Sequence, residues 1–490
     1  MRRGPSSRSR PLTAMLDTLC TSFPLPPPSI PLAILSPMSF RSGSASFARF
    51  RVTGPVPQVL DDELLQGLAE HVVRPSEIGA PPPLQAGWCA GQHVFDNTFD
   101  VENILFGSTL VFGMRMDTNR VPAELRKAYK LMAEQAQRAV SATGLINRAE
   151  RQVAREEAEE RCRRELSEGR FRTSRLIPIA WDLQRRLVLA PAFADAAVTA
   201  MCDLFTSTTN GQLEPRTAGA IALEWLGARG RVRDYEDAVP TPYTEPPPGA
   251  EEDGATPLVP WSHAGPEPKD FLGNEFLLWL WWMIDTDGGE FDVDGRRVAV
   301  VIDRVLDTAC AWDVTGTQAL RADGPSRLAE AGRAIASGKW PRRAGLVVAT
   351  DDAQWTLILQ GDRFQVSGAK LPKPEELASA PPREQVEFRM ASILDLEEVM
   401  VGLYEGFLDV RFGSKWSGTR SAIQRWIHRA AGPVTVGPMD VMVEQKRVAP
   451  EVAPAVEPIE STPEAAAESA PDVAPRADVE VAAREEAAAV

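Results

Sequence analysis

Hydrophobic and polar positions change period several times along the chain, and each change marks an element. In SFARFRVTG (46–54), Phe47 and Phe50 sit in strand-like surroundings, and Pro55 and Pro57 close the run. In LDDELLQGLAEHVV (60–73), Leu64, Leu65, Leu68 and Val72 share one face of a 3.6-residue period, which predicts an amphipathic helix. ILFGSTLVFGMRMDT (104–118) is β-rich. VPAELRKAYKLMAEQAQRAV (121–140) reads as a helix with Pro122 in its first turn. LINRAERQVAREEAEERCRRELSEG (145–169) is a long charged helix whose Glu and Arg residues recur three or four apart. SRLIPIAWDLQRRLVLAPA (174–192) predicts two strands around a turn at Asp182–Arg185, and FADAAVTAMCDLFTSTT (193–209) a further helix.

The strongest apolar signal is FLGNEFLLWLWWMID (271–285), unbroken from Phe276 to Ile284 and holding three of the twelve tryptophans. A membrane-spanning helix needs about 20 such residues. This run is far shorter, with Glu275 and Asp285 at its ends, so no membrane span is expected. Apolar residues all round a helix predict burial on most sides. The tryptophans then supply packing area; the alternative is a stacking platform for single-stranded DNA. GEFDVDGRRVAVVID (289–303) predicts a hairpin, because Asp294–Gly295 suits a type I′ turn. SRLAEAGRAIASG (326–338) predicts a helix ending at Gly338. RAGLVVATDDAQWTLILQGDRFQVSGAKLP (343–372) predicts a meander turning at Asp351–Asp352 and Gly361–Asp362. ASILDLEEVMVGLYEGFLDVRF (391–412) predicts a closing helix. The fold class expected is α+β, with antiparallel sheets and long helices.

Proline, glycine and acid content divides the chain. Residues 1–43 read as a disordered leader, with Met38 an alternative start, because four prolines between Phe23 and Ile30 break any signal-peptide helix. Residues 44–236 form an N-terminal α+β half and 271–430 a C-terminal one. Between them, 237–270 is a Pro/Gly/acid linker or an insertion within one fold. Residues 431–490 are an Ala/Pro/Glu tail, too poor in apolar surface to fold. Five scattered cysteines (Cys20, Cys89, Cys162, Cys202, Cys310) with no C-x-x-C read as reduced thiols of a cytoplasmic protein.

Net charge is −15, which argues against a polyanionic partner unless one face is locally basic. Such stretches exist. Between Met114 and Leu176, 15 Lys/Arg stand against 10 Asp/Glu. Within it, Arg126 and Lys127 lie four and three residues before Lys130, so the three share part of a helix face. A second run holds Arg321, Arg327, Arg333, Lys339, Arg342 and Arg343. Phosphate contacts need clusters of this kind and no base-reading motif.

Catalytic signals are weak by comparison. In DTDGGEFDVDG (285–295), counting from Asp285, calcium-loop positions 5 and 6 fall on Gly289 and Glu290, so the EF-hand spacing fails. His71, His93, His263 and His428 show no metal-ligand spacing, and no nucleotide loop or nucleophile elbow occurs. Neither cofactor nor metal is called for. Asp182, Asp303 and Asp313 are separated carboxylates of the kind a nuclease metal site uses, and nothing in their spacing favours that over turn and cap roles.

The order of blocks resembles the recombination-associated protein RdgC family over roughly 46–416. The matching blocks are FARFRVTG, the Gly87–Trp88 pair, LVFGMRMDTNRVPA, RLIPIAWDLQRRLVLAPAFADAA and AIASGKWPRRAGLVVATDDAQWTLILQGDRFQVSGAKLP. FLGNEFLLWLWW resembles a motif of diverged members labelled exonucleases. The resemblance implies an RdgC-like protomer of a ring-shaped, head-to-tail homodimer. Such a ring holds double-stranded DNA without sequence preference and modulates a RecA-type recombinase. It implies a non-enzymatic, nucleoid-associated protein, and the clustering of the two basic runs nominates Arg126, Lys127, Lys130, Arg321, Lys339, Arg342 and Arg343 as its DNA contacts. This chain departs from the family in a central helix rich in Arg and Glu where the family has lysines, and in Arg321 where paired lysines are expected. A nuclease or nuclease accessory, and an interaction module without DNA binding, are the alternatives.

Overall fold

The computed structural model describes residues 40–74, 81–141, 144–191, 195–250, 256–262 and 268–430. The first part of the chain contains β1 (Ala45–Thr53), α1 (Asp62–Glu70), β2 (Leu84–Cys89), α2 (Val101–Ile104), β3 (Leu105–Phe106) and β4 (Thr109–Asn119). It continues through α3 (Ala123–Val140), α4 (Arg148–Ser167), β5 (Arg172–Asp182), β6 (Leu187–Ala190), α5 (Asp195–Thr209), β7 (Gln212–Pro215), α6 (Ala218–Ala228) and α7 (Val232–Glu236). Then come α8 (Phe271–Asp287), β8 (Glu290–Val293), β9 (Arg296–Cys310), β10 (Thr317–Ala322), α9 (Ala329–Ala336), β11 (Lys339–Ala349), β12 (Gln354–Gln360) and β13 (Gln365–Lys370). Two helices finish the described chain, α10 (Pro382–Arg411) and α11 (Trp416–Ala430).

The protein is α+β, built on one large antiparallel sheet. Its strands run β10-β9-β11-β12-β13-β1-β6-β5-β4-β2, with β3 on β4, β7 on β1 and β8 on β9. Strand β1 is the seam. Its start pairs with β13 (Ala45↔Ala369, Phe47↔Val366), and its later residues pair with β6 (Ala48↔Ala190 to Arg51↔Leu187). Side chains alternate along a strand, so Phe47 and Phe50, an odd number apart, face opposite ways. They enter different cores: Phe47 joins the core around α8 and α10, and Phe50 the one holding Trp88, Phe112 and Trp181.

Local chemistry places the elements. The Asp61 carboxylate accepts the Leu64 amide at 2.8 Å and caps α1. Asn147 and Glu150 form a capping box at the start of α4. Asp294 (φ 50°) and Gly295 (φ 80°) both adopt the left-handed conformation that the two-residue hairpin between β8 and β9 requires.

Helix α8 is buried continuously from Phe271 to Trp281. Trp279 packs on Phe291 and Phe407 with ring centroids at 5.5 and 5.7 Å, and Trp281 meets Trp426 edge-on at 5.4 Å. Neither ring is free to stack on a nucleobase. Gly273 allows the backbone of α8 to touch the β12–β13 turn, since a Cβ there would lie 2.0 Å from the Gly361 carbonyl oxygen. Two polar residues are buried with the tryptophans, and each is satisfied. Asn274 donates to the Pro341 carbonyl (2.9 Å) and accepts from the Trp261 indole (3.0 Å). Glu275 accepts from the Thr241 amide (2.7 Å) and from Arg411 Nε (2.7 Å). Thr241, Tyr243 and Val259, from the segment between the halves, are likewise buried.

Strands β4 and β5 pair along their whole length, from Thr109↔Asp182 to Asn119↔Arg172. The chain between them is the antiparallel pair α3–α4, which grows from the end of that ladder. Arg115 and Arg172 clamp the Asp117 carboxylate at its base, with closest approaches of 2.7 and 2.6 Å. Asn119 donates to the Leu166 carbonyl at 2.8 Å and ties α4 to the strand.

Several expectations shift in detail. Pro122 lies just outside α3 with an extended backbone (ψ 141°) rather than in its first turn. The closing helix starts earlier, at Pro382, and α11 follows it. The short strands β2, β7 and β10 and the helices α6 and α7 are additions to the pattern read from sequence.

Candidate nucleic-acid interface

Helix α3 presents its first basic cluster to solvent. Arg126, Lys127 and Lys130 are all exposed, and successive positions three or four apart fall on adjoining turns of one face. Lys130 has Glu134 at 4.0 Å; among the described residues, neither Arg126 nor Lys127 has an ion-pair partner. Only Ala133 of α3 is buried, against α4. On α4, Arg155 is paired with Glu159 (2.9 Å), Arg161 with Glu165 (3.5 Å) and Arg163 with Glu160 (3.2 Å), while the exposed Arg148, Arg151 and Arg164 have no ion pair among the described residues. The same helical pair carries exposed Leu125, Leu131, Met132, Val140, Leu145 and Val153.

The second cluster is more internally compensated. Arg321 on β10 donates to Asp307 at 2.5 Å, and Arg343 on β11 reaches the same carboxylate at 3.9 Å. Asp307 on β9 is the shared partner because β9 lies between β10 and β11 in the sheet. Arg342 lies over the Trp261 ring (5.1 Å) with Asp362 at 4.0 Å. Burial raises the Asp362 carboxyl above its ordinary range despite that arginine. Lys339, half-buried opposite Cys310 at the start of β11, has no ion pair among the described residues.

The candidate nuclease carboxylates hold local structure. Asp182 accepts the Gln184 and Arg185 amides at 3.0 Å each and shapes the β5–β6 turn. Asp303 accepts the Gly324 amide (3.2 Å) and pairs with Arg304 (3.4 Å). Asp313 occupies a left-handed turn position (φ 57°). Among the described residues, no three His, Cys, Asp or Glu side chains group as a metal site. His71 bonds the Gly67 carbonyl at 2.8 Å, and His263 lies outside the described residues. Cys89, Cys162, Cys202 and Cys310 are free thiols.

One constellation has no counterpart in the sequence reading. A cleft of about 540 Å³ opens between the end of β1, the β5–β6 turn, α10 and the β8–β9 hairpin. Its floor is a buried ion network. Arg49, 1% exposed, has Glu397 at 3.4 Å, and Arg216 lies 3.3 Å from the same carboxylate and 3.0 Å from Glu224. Burial pulls the Arg49 guanidinium down to about 10, with Glu397 acting in the opposite direction. These arginines are separated in sequence by more than a hundred residues, so no local pattern brings them together.

Among the described residues, no helix is long and apolar enough to cross a membrane. No protein-family model matches the chain, and no curated protein matches it significantly.

Proposed function

We propose that the protein is a non-catalytic binder of double-stranded DNA without sequence preference. On this reading it acts in recombination or replication beside a RecA-type recombinase, as the protomer of a closed homodimeric ring. The observation that carries the reading is the exposed face of Arg126, Lys127 and Lys130 on α3, where Arg126 and Lys127 lack ion pairs among the described residues. Cations in that state can replace condensed counterions on a phosphate backbone, whereas Arg155, Arg161 and Arg163 of α4 are already matched by glutamates. The resemblance in block order supports the same reading. Lys339, Arg342 and Arg343 contribute less, because Asp307 and Asp362 already compensate the two arginines.

A salt-titrated gel shift on duplex and single-stranded DNA tests it. Wild type should bind duplex of any sequence, with a log–log salt slope of about −0.9 per phosphate neutralised. Replacing Arg126, Lys127 and Lys130 by Ala should flatten that slope by up to about three units without moving the melting temperature. No binding at about 50 mM salt would overturn the proposal. So would metal-dependent shortening of a labelled duplex that is abolished at Asp182 or Asp303.

A further inference from the structure

The arginine end of the cleft carries a second inference, which rests on residues separate from α3. A further hollow of about 410 Å³ is lined by Arg51, Val52, Thr53, Gly54, Arg185 and Arg186. It holds three guanidinium groups and no carboxylate. The same three arginines also line the 540 Å³ cleft, so they form the wall the two hollows share. A cleft of that volume falls within the range of small-molecule sites.

Each of the three side chains is held in place by fixed partners. Arg186 takes a left-handed backbone conformation (φ 53°), uncommon for an arginine. Its Nε donates to the Val52 carbonyl at 3.2 Å, and Nη2 donates to the Gly54 carbonyl. Both acceptors are neutral, and no ion pair to Arg186 occurs among the described residues, so its charge is oriented without being cancelled. Arg51 is steadied by Glu224 at 3.2 Å and Glu214 at 3.7 Å, and Arg185 by Glu398 at 2.8 Å and Asp182 at 3.5 Å. Each guanidinium has five donors in a planar fork, so these contacts leave capacity for a ligand. Arg49, two residues before Arg51 on β1, is buried and paired through its Nε with Glu397 (3.4 Å), and its Nη2 makes no hydrogen bond.

We propose that Arg51, Arg185 and Arg186 form a clamp for a phosphate-bearing ligand. Planar guanidinium forks match phosphate oxygens in pairs, and charge-assisted bonds of that kind are the strong ones. The ligand's phosphate could belong to a free phosphoanion or to a nucleic-acid backbone; the chemistry of capture is the same.

Titration calorimetry of the full chain with inorganic pyrophosphate at low salt is the direct test. Wild type should give saturable binding. Arg185→Gln with Arg186→Gln, and separately Arg51→Gln, should each weaken it by at least about tenfold, the worth of one charge-assisted hydrogen bond. Arg51 and Arg185 are roughly half exposed, so Arg51→Gln and Arg185→Gln should keep the wild-type melting temperature and serve as the folded controls. Arg185→Lys should bind more weakly than wild type and more tightly than Arg185→Gln, because charge survives while the fork is lost. Displacement of pyrophosphate by a short duplex would assign the clamp to a backbone phosphate, and no displacement to a free phosphoanion; either result upholds an oxyanion site. Absence of saturable heat with wild type, or equal affinity in folded variants, would overturn it. The α3 triple variant should bind pyrophosphate like wild type, so failure here is distinguishable from failure of the DNA proposal.

Discussion

Glu275→Ala should be among the most destabilising single changes available in this protein. Glu275 sits in the first turns of α8, fully shielded from solvent, with its carboxylate 2.7 Å from Arg411 Nε and 2.7 Å from the Thr241 amide. Arg411 comes from the end of α10 and also donates to the Val239 carbonyl at 2.9 Å. One carboxylate therefore ties together α8, α10 and the segment that precedes α8. Removing it leaves a guanidinium that is only 10% exposed without its counter-charge, and orphans a buried amide. Breaking a buried ion pair from one side costs about 3–5 kcal/mol. Arg411→Ala should cost a similar amount, since it leaves the carboxylate uncompensated. The double variant Glu275→Ala/Arg411→Ala should cost well below the sum of the singles, because no buried charge remains. It should still lose about 1–3 kcal/mol for the unpaired Thr241 amide. Urea unfolding followed by tryptophan fluorescence measures all three, and the cycle gives the coupling directly. Additive singles, or a Glu275→Ala cost below about 1 kcal/mol, would refute the burial of this pair. They would also undo the placement of 239–241 against α8.

Two further predictions rest on separate features. Gly273→Ala places a Cβ 2.0 Å from the Gly361 carbonyl oxygen and 2.7 Å from Ala218 Cβ, and should cost about 1–3 kcal/mol or more. Gly406→Ala, in α10 with nothing within 4 Å, should stabilise by up to about 1 kcal/mol, and thermal melts showing the same sign for both would contradict the packing described. Burial alone would raise the Asp117 carboxyl, but bonds from Arg115 and Arg172 outweigh it and hold it below the usual range. Its contribution is then present above the unfolded value of about 3.9 and lost as pH falls through the lower folded value. Asp117→Asn should therefore destabilise the base of the helical pair at pH 7, with the difference from wild type shrinking on acidification. A difference that is constant or grows toward acid pH in paired melts would show that the charge is not what matters.

Much of the fold is legible because its signals are short-range. The all-round apolar surface of 271–284 fixes a buried helix whatever surrounds it, since only a core can absorb such a face. Asp294–Gly295 sets its turn because both residues tolerate positive φ, and the alternation through 354–360 sets a half-buried strand. The α3–α4 pair follows from its own charge spacing and from the Asn147–Glu150 capping box. Strand β10 shows why the rest was hidden. TQALRA alternates in exposure, but its half-buried positions are Gln318, Leu320 and Ala322, too weak a pattern to stand out.

What tertiary structure alone decided is charge compensation and the meeting of distant strands. Arg321 and Arg343 read as free cations in a basic run until the order β10-β9-β11 sets Asp307 between them. Phe47 and Phe50 read as one strand until β1 proves to join two cores. Arg51, Arg185 and Arg186 are brought to one wall by the pairing of β1 with β6 and the turn that precedes β6. The reason is physical: helix caps, turns and periodicity depend on neighbours a few residues away. A guanidinium's effective charge depends on whichever carboxylate the register delivers within about 4 Å, and that partner can lie anywhere in the chain.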